Sequence, residues 1–188
     1  MAAEERLLLD ADAISRTLSR VAHELIERNA DLDRVALVGI HTRGVPLAHR
    51  LRRLVAERAG VELDIGTVDI TFYRDDVGIR GGEAPLHAQP LVRGTQLDFG
   101  FEGRTVVLVD DVLYTGRTIR AAVEALFDYG RPARVQLAVL ADRGHRELPI
   151  RADYVGKNLP TKIAEDVRVR LDEVDGTGDG VEIWGSDT

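Results

Sequence analysis

Residues 106–118, VVLVDDVLYTGRT, constrain this chain more than any other stretch. Val106, Val107, Leu108 and Val109 do not alternate with polar residues, as expected of a strand covered on both faces of a parallel sheet. Asp110 and Asp111 follow at the strand's C-terminal end. Thr115, Gly116, Arg117 and Thr118 then open a helical pattern over residues 119–129. Glycine permits positive φ and close approach of a ligand to the backbone. Threonine hydroxyls and helix N-terminal amides donate toward an anion. Two carboxylates facing a phosphate would repel it, so they read as acceptors for the hydroxyls of a sugar bearing that phosphate. The expected ligand is a ribose 5-phosphate. The competing reading is an ordinary strand–turn–helix in which one Asp caps the helix.

Elsewhere, strands and helices alternate. Ile14, Leu18, Val21, Leu25 and Ile26 recur at helical spacing within residues 10–29, with Asp10 or Asp12 as the candidate cap. Residues 35–40 read as a buried strand, and residues 45–60 as an amphipathic helix with Pro46 in its first turn. Residues 68–73 alternate like a strand, whereas residues 74–89 carry no clear period and read as a mobile loop. Further strands are expected over residues 135–140 and 154–156. A closing hairpin is expected from residues 167–171 and 181–184 around a Gly/Asp turn. The order predicts an α/β fold, a parallel sheet flanked by helices with right-handed crossovers, in one domain spanning residues 1–188. Ligands of such sheets bind beyond the C-terminal strand ends. His41, Thr42, Arg43 and Gly44 fall there too, forming a second anion-binding turn in which Arg43 is a planar bidentate donor; a simple strand-to-helix turn is the alternative.

The net charge of −7 argues against a uniformly basic nucleic-acid surface but leaves room for a local one. The absence of cysteine fits a cytoplasmic protein without disulfides. The N-terminus does not resemble a signal peptide, and no segment approaches the roughly 20 apolar residues of a membrane span.

Residues 106–118 resemble the signature of the type I phosphoribosyltransferases, which bind 5-phosphoribosyl-1-pyrophosphate (PRPP) with Mg²⁺. The resemblance implies that family's fold, a parallel sheet with a small hood, expected from about residues 142–160 and the C-terminal strands. It implies Asp110 and Asp111 for the ribose, touching the metal indirectly through PRPP, and Val112, Leu113, Tyr114, Thr115, Gly116, Arg117 and Thr118 for the phosphate loop. It makes Thr42, Arg43 and Gly44 the pyrophosphate loop, with a non-proline cis peptide near Thr42–Arg43. Asp110, Asp111 and Arg43 would be the catalytic set. Arg74, with Asp75, Asp76 and Arg80, would belong to a lid; a solvated loop is the alternative.

Residues 142–158, together with residues 42–44, 69–71 and 73–76, narrow the resemblance to bacterial regulators of pyrimidine operon attenuation. These also make UMP from uracil and PRPP, and bind leader mRNA when loaded with UMP or UTP. Asp142, Tyr154 and Val155 are then expected at the uracil, although Tyr154 and Val155 serve equally well as core. Arg16, Ser19, Arg20 and His23 share one side of the first helix, and Arg143, Arg146, Arg151 and Lys157 form a second basic concentration. By spacing alone these are as readily a solvated face with ion pairs. The resemblance assigns Ser19, Arg20, His23, Arg146 and Lys157 to RNA, and implies a homodimer or tetramer. Two other readings are a purine-salvage phosphoribosyltransferase with no RNA role and a regulator that keeps a catalytically weak site as a nucleotide sensor.

Overall fold

The computed structural model describes residues 4–73 and 94–185. The expected lid residues Arg74, Asp75, Asp76 and Arg80 lie outside them. Five strands form a parallel sheet in the order β3-β2-β4-β5-β6: β2 (Val35–Ile40), β3 (Asp64–Val68), β4 (Thr105–Leu113), β5 (Arg134–Asp142) and β6 (Tyr154–Asn158). The sheet is sandwiched between α1 (Ala11–Arg28) and α2 (Gly44–Ala59) on one face and α3 (Arg117–Tyr129) on the other. Because side chains alternate across a strand, Leu37, Val107 and Val109 meet Leu18, Leu47 and Leu51 on the first face. Val38, Val106 and Leu108 meet Ile119, Ala122 and Leu126 on the second. This double burial explains the uninterrupted apolar runs. Asp10 caps α1 as expected, its Oδ1 accepting from the Ala13 N–H at 2.7 Å.

A second, antiparallel sheet pairs β1 (Glu4–Asp10) with β8 (Gly180–Gly185) and β8 with β7 (Asp166–Arg170). The expected C-terminal hairpin is thus present, its turn beginning with the short helix α4 (Asp172–Asp175). Strand β1 has no clear signature of its own and exists because β8 offers it an edge. The hood expected from residues 142–160 is composed differently: residues 154–158 extend the main sheet, and the N-terminal strand joins the C-terminal hairpin instead.

The strand expected over residues 68–73 ends at Val68. There the Asp69 carboxylate accepts from the N–H of Thr71 at 2.9 Å and from its hydroxyl, and the Tyr73 N–H donates to the Ile70 carbonyl at 2.9 Å. A short acceptor that captures its own backbone outcompetes the ladder.

Tyr154 is fully buried. Its hydroxyl donates to Gln136 Oε1 at 3.0 Å and accepts from Asn29 Nδ2 at 2.9 Å, and the Arg28 guanidinium lies 5.3 Å from its ring centre. Tyr154→Phe leaves two buried polar partners one bond short and is expected to lower the unfolding free energy by about 1–2 kcal/mol, measured by chemical denaturation.

Candidate functional site

Strands β2 and β4 are neighbours, so the turns leaving their C-terminal ends are pressed together. A Cβ on Gly44 would lie 2.2 Å from the Val109 carbonyl oxygen, and one on Gly39 would lie 2.5 Å from Val45 Cα. Only glycine allows these backbones to approach so closely. Between the two glycines the His41–Thr42 peptide is cis, one bond before the Thr42–Arg43 bond expected from the sequence. On the other side Gly116, at φ 94°, turns the chain into α3.

The acidic pair sits inside β4 rather than beyond it, because Val112 and Leu113 continue to pair with Ala141 and Asp142. Asp110 is buried, and its Oδ1 accepts the Asp111 N–H at 2.9 Å. The Asp111 Oδ1 accepts the Val112 N–H at 2.8 Å. Asp111 keeps a solvent-accessible edge but is densely surrounded by protein. That desolvation pushes its carboxyl above the usual range, against the opposing pull of the Val112 N–H, Asp110 and Arg43. Arg43 is half-buried and directs its fork at a carboxylate the sequence reading missed. Its Nε and Nη2 donate to Asp175 at 3.2 and 2.7 Å.

The 115–118 turn is shaped from outside. The Thr115 carbonyl accepts the N–H groups of Glu147 and Leu148 at 3.0 and 3.2 Å, Thr115 Oγ1 accepts the Arg117 N–H at 3.4 Å, and Arg117 Nε donates to Glu147 at 2.7 Å. Tyr114 lies under Arg143, whose guanidinium is 4.1 Å from the ring centre. Val112 packs against the core on the α1/α2 face and Leu113 is buried in the core on the α3 face, so Leu113 offers a ligand only its backbone. Thr118, in the first turn of α3, is partly exposed beside Gly116. Asp110 and Asp111 are the only carboxylates brought to this strand end by β4. Among the described residues no group of three or more His, Cys, Asp or Glu side chains is arranged to hold a metal. Two buried carboxylates fit an ion held mainly through ligand oxygens and water, as Mg²⁺ with a phosphate ester commonly is.

The expected base-contact residues lie in different surroundings. Tyr154 does not line a base pocket: its ring is sealed beneath α1. Tyr154 and Val155 pair with Ala138 and Val139 at the N-terminal start of β6, whereas the C-terminal strand end lies at the Asp142–Asn158 pair. Val155 packs into the α3-side core. Asp142 does stand at that edge, but it accepts the Gly144 N–H at 2.9 Å and pairs with Arg146. Arg146, in turn, is partly buried and bonded within the chain. It donates to the carbonyls of Tyr114 at 2.7 Å, Ile150 at 3.0 Å and Gly144 at 3.1 Å, and so pins the 144–150 turn to the end of β4.

On α1, Arg20 donates to the carbonyls of Val155 and Gly156 and pairs with Glu24, and Ser19 accepts from Arg58. Arg20 therefore stitches α1 to β6. His23 and Lys157 are exposed on those two adjoining elements, with Glu27 3.3 Å from His23. A close fit allows this: a Cβ on Gly156 would meet Thr17 Cγ2 at 2.8 Å.

Because its carboxyl is raised on folding, Asp111 subtracts stability as pH climbs from the ordinary Asp range through the raised value. Asp111→Asn, which keeps the Val112 hydrogen bond, is expected to raise the melting temperature at neutral pH. The gain should vanish below about pH 3.9, where the unfolded carboxyl is also protonated. Thermal melts at both pH values check this.

Residues 7–173 match the family model of the phosphoribosyl transferase domain. The chain is 60% identical over 179 residues to the bifunctional protein PyrR of a Roseiflexus species, covering 95% of this chain and 94% of that one. It is 55% identical over 177 residues to bifunctional PyrR of Thermus thermophilus, covering 94% of each. Among solved structures, hypoxanthine phosphoribosyltransferase of Trypanosoma cruzi with the product IMP superposes with a TM-score of 0.68 at 19% identity, covering 98% of this chain and 92% of that one. The Staphylococcus aureus hypoxanthine enzyme gives 0.66 at 20%, covering 94% and 90%. These structures share the fold alone, whereas the sequence relatives share most of their residues. With a five-stranded parallel sheet and a glycine-locked pair of turns at its C-terminal edge, this chain has the type I phosphoribosyltransferase fold and belongs to the PyrR family.

Proposed function

We propose that the protein transfers the phosphoribosyl group of PRPP to uracil, and that the nucleotide-loaded protein binds leader mRNA of pyrimidine biosynthetic genes to promote transcription termination. The observation that carries the catalytic half is the pair of buried Asp110 and partly exposed Asp111 abutting the turn that bears Arg43. In the reaction a base nitrogen forms a bond to C1 of the ribose as the C1–O bond to pyrophosphate breaks. Positive charge gathers on the sugar and negative charge on the leaving group. Such a reaction needs no protein nucleophile. It needs alignment and electrostatic complementarity.

Asp110 and Asp111 accept the ribose hydroxyls and face the developing positive charge. The 115–118 turn and the N-terminus of α3 hold the 5′-phosphate, and Thr42, Arg43 and Gly44 hold the pyrophosphate. Mg²⁺ bound with PRPP supplies further neutralisation of the leaving group. Asp142 and Arg146 act on this site by fixing the 144–150 turn, which supports the phosphate loop at Thr115 and backs Gly116 with Leu148 and Ile150.

The regulatory half draws support from the family relationship and from His23 and Lys157 lying on adjoining elements. His23 and Lys157 are the side chains offered to RNA, together with Arg16, exposed on the same helix as His23, and with Arg20 and Ser19 organising the face behind them. Phosphate contacts of this kind supply affinity without making the whole protein basic. Among the described residues, no helix is long and apolar enough to cross a membrane. The reading extends to a cytoplasmic homodimer or tetramer.

Incubation of PRPP with uracil, hypoxanthine or guanine is expected to yield nucleotide with uracil alone. Turnover of a purine in its place, or of no base, overturns the catalytic reading. In gel shifts with a pyrimidine-operon leader hairpin, UMP is expected to strengthen binding. His23→Ala or Lys157→Ala should each weaken it by about 1–2 kcal/mol, roughly 5–30-fold, with uracil turnover intact. Arg146→Ala should instead lower turnover and thermal stability together, because it releases the turn beneath the phosphate loop.

A further inference from the structure

The Gly- and Asp-rich turn after β7 reads in sequence as a plain surface connection, yet it is fastened to the start of α2 by two arginines. Arg43 and Arg50 stand seven residues apart, on one side of α2 and its cap. Arg50 donates through Nε to Glu173 at 2.8 Å and through Nη2 to Asp179 at 2.9 Å, with Nη1 on the second Asp179 oxygen. Arg43 forks onto Asp175. The turn is rigid before either arginine is counted. Asp175 Oδ2 accepts the Leu171 N–H at 2.8 Å, Asp179 Oδ1 accepts the Asp172 N–H at 3.0 Å, and Asp172 Oδ1 accepts the Gly178 N–H at 3.1 Å.

We propose that Asp175 is a positioning residue for the pyrophosphate of PRPP, holding the Arg43 fork in place so that its remaining donors serve the leaving group. This rests on the reading of Arg43 as a pyrophosphate ligand given above. A guanidinium carries five N–H bonds. Two go to Asp175, leaving three for other acceptors. The other carboxylate that acts electrostatically on Arg43 is Asp111. Without Asp175, Arg43 would be drawn across the site to Asp111. That pairing would occupy the ribose acceptor and the pyrophosphate donor at once. Asp175 prevents it from a scaffold anchored through Arg50, and so ties the hood hairpin to the pyrophosphate turn.

Calorimetric titration of PRPP, inorganic pyrophosphate and UMP in Mg²⁺ buffer separates this role from a merely structural one, since UMP lacks the group that Arg43 would bind. Asp175→Asn is expected to weaken PRPP and pyrophosphate on the order of tenfold, the scale of one oriented charge-assisted pair. The KM for PRPP should rise in step, with kcat at saturating PRPP and UMP affinity unchanged; the melting temperature should fall by a few degrees as the Arg43 pair loses its charge. Asp175→Glu should recover most of the loss. PRPP affinity unchanged or improved by Asp175→Asn overturns the inference. So does a parallel fall in PRPP affinity, UMP affinity and melting temperature that Asp175→Glu does not repair. A wild-type protein that binds neither PRPP nor UMP overturns the active-site reading itself, and this inference with it.

Discussion

The contact on which the site depends is backbone against backbone, where the start of α2 meets the end of β4. With the Gly44 Cα pressed toward the Val109 carbonyl, no side chain fits between the two turns. Parallel strands lie less than 5 Å apart. Their outgoing loops normally diverge to make room for side chains, but glycines at 39 and 44 let these two converge. The anion turn bearing Arg43 is thereby held beside the Asp110–Asp111 pair, and the rest of the site is built around that junction.

Convergence has an energetic cost that the surroundings offset. Asp110 is buried and Asp111 is densely surrounded, and each carboxylate accepts a neighbouring backbone N–H. Desolvation dominates at Asp111, so the pair is a poor choice for stability and makes sense where a polar ligand completes it. The compensation lies nearby. The carboxylates of Glu173, Asp175 and Asp179 are all held below their ordinary range by paired arginines, and Arg146 collects the loose carbonyls behind the phosphate loop. Groups that look from composition like a scatter of charges form two internal clamps around one edge of the sheet.

Much of the fold was legible because double burial leaves a plain trace. The runs at residues 35–40, 106–109 and 135–140 have no polar alternation, and the helices after them keep a helical period. Residues 68–73 misled because alternation describes a strand only when the backbone is free to pair, and Asp69 captures Thr71 first. Strand β1 was invisible because its pairing depends on β8, at the other end of the chain. At the site, Asp110, Asp111, Gly116 and Arg43 were legible as residue types in an ordered loop. Asp175 was not, although acidic residues at 173, 175 and 179 complement arginines at 43 and 50. That signal crosses more than a hundred residues, and no local pattern carries it.

The amino-acid sequence by itself determined the main-sheet strands β2, β4 and β5, the helices that cover them and the glycine-bearing turns between, since strand burial, helix period and glycine placement are local properties. It also carries the family relationship. Tertiary structure decided what each charged or aromatic side chain does, because that depends on which partners the fold brings within hydrogen-bond reach. Tyr154 became core rather than pocket wall, and Arg146 became a partly buried clamp on the 144–150 turn. Arg20 became a stitch between α1 and β6. Once those groups are committed, Arg16, His23 and Lys157 remain exposed on adjoining elements, and only then does Asp175 appear beside Arg43.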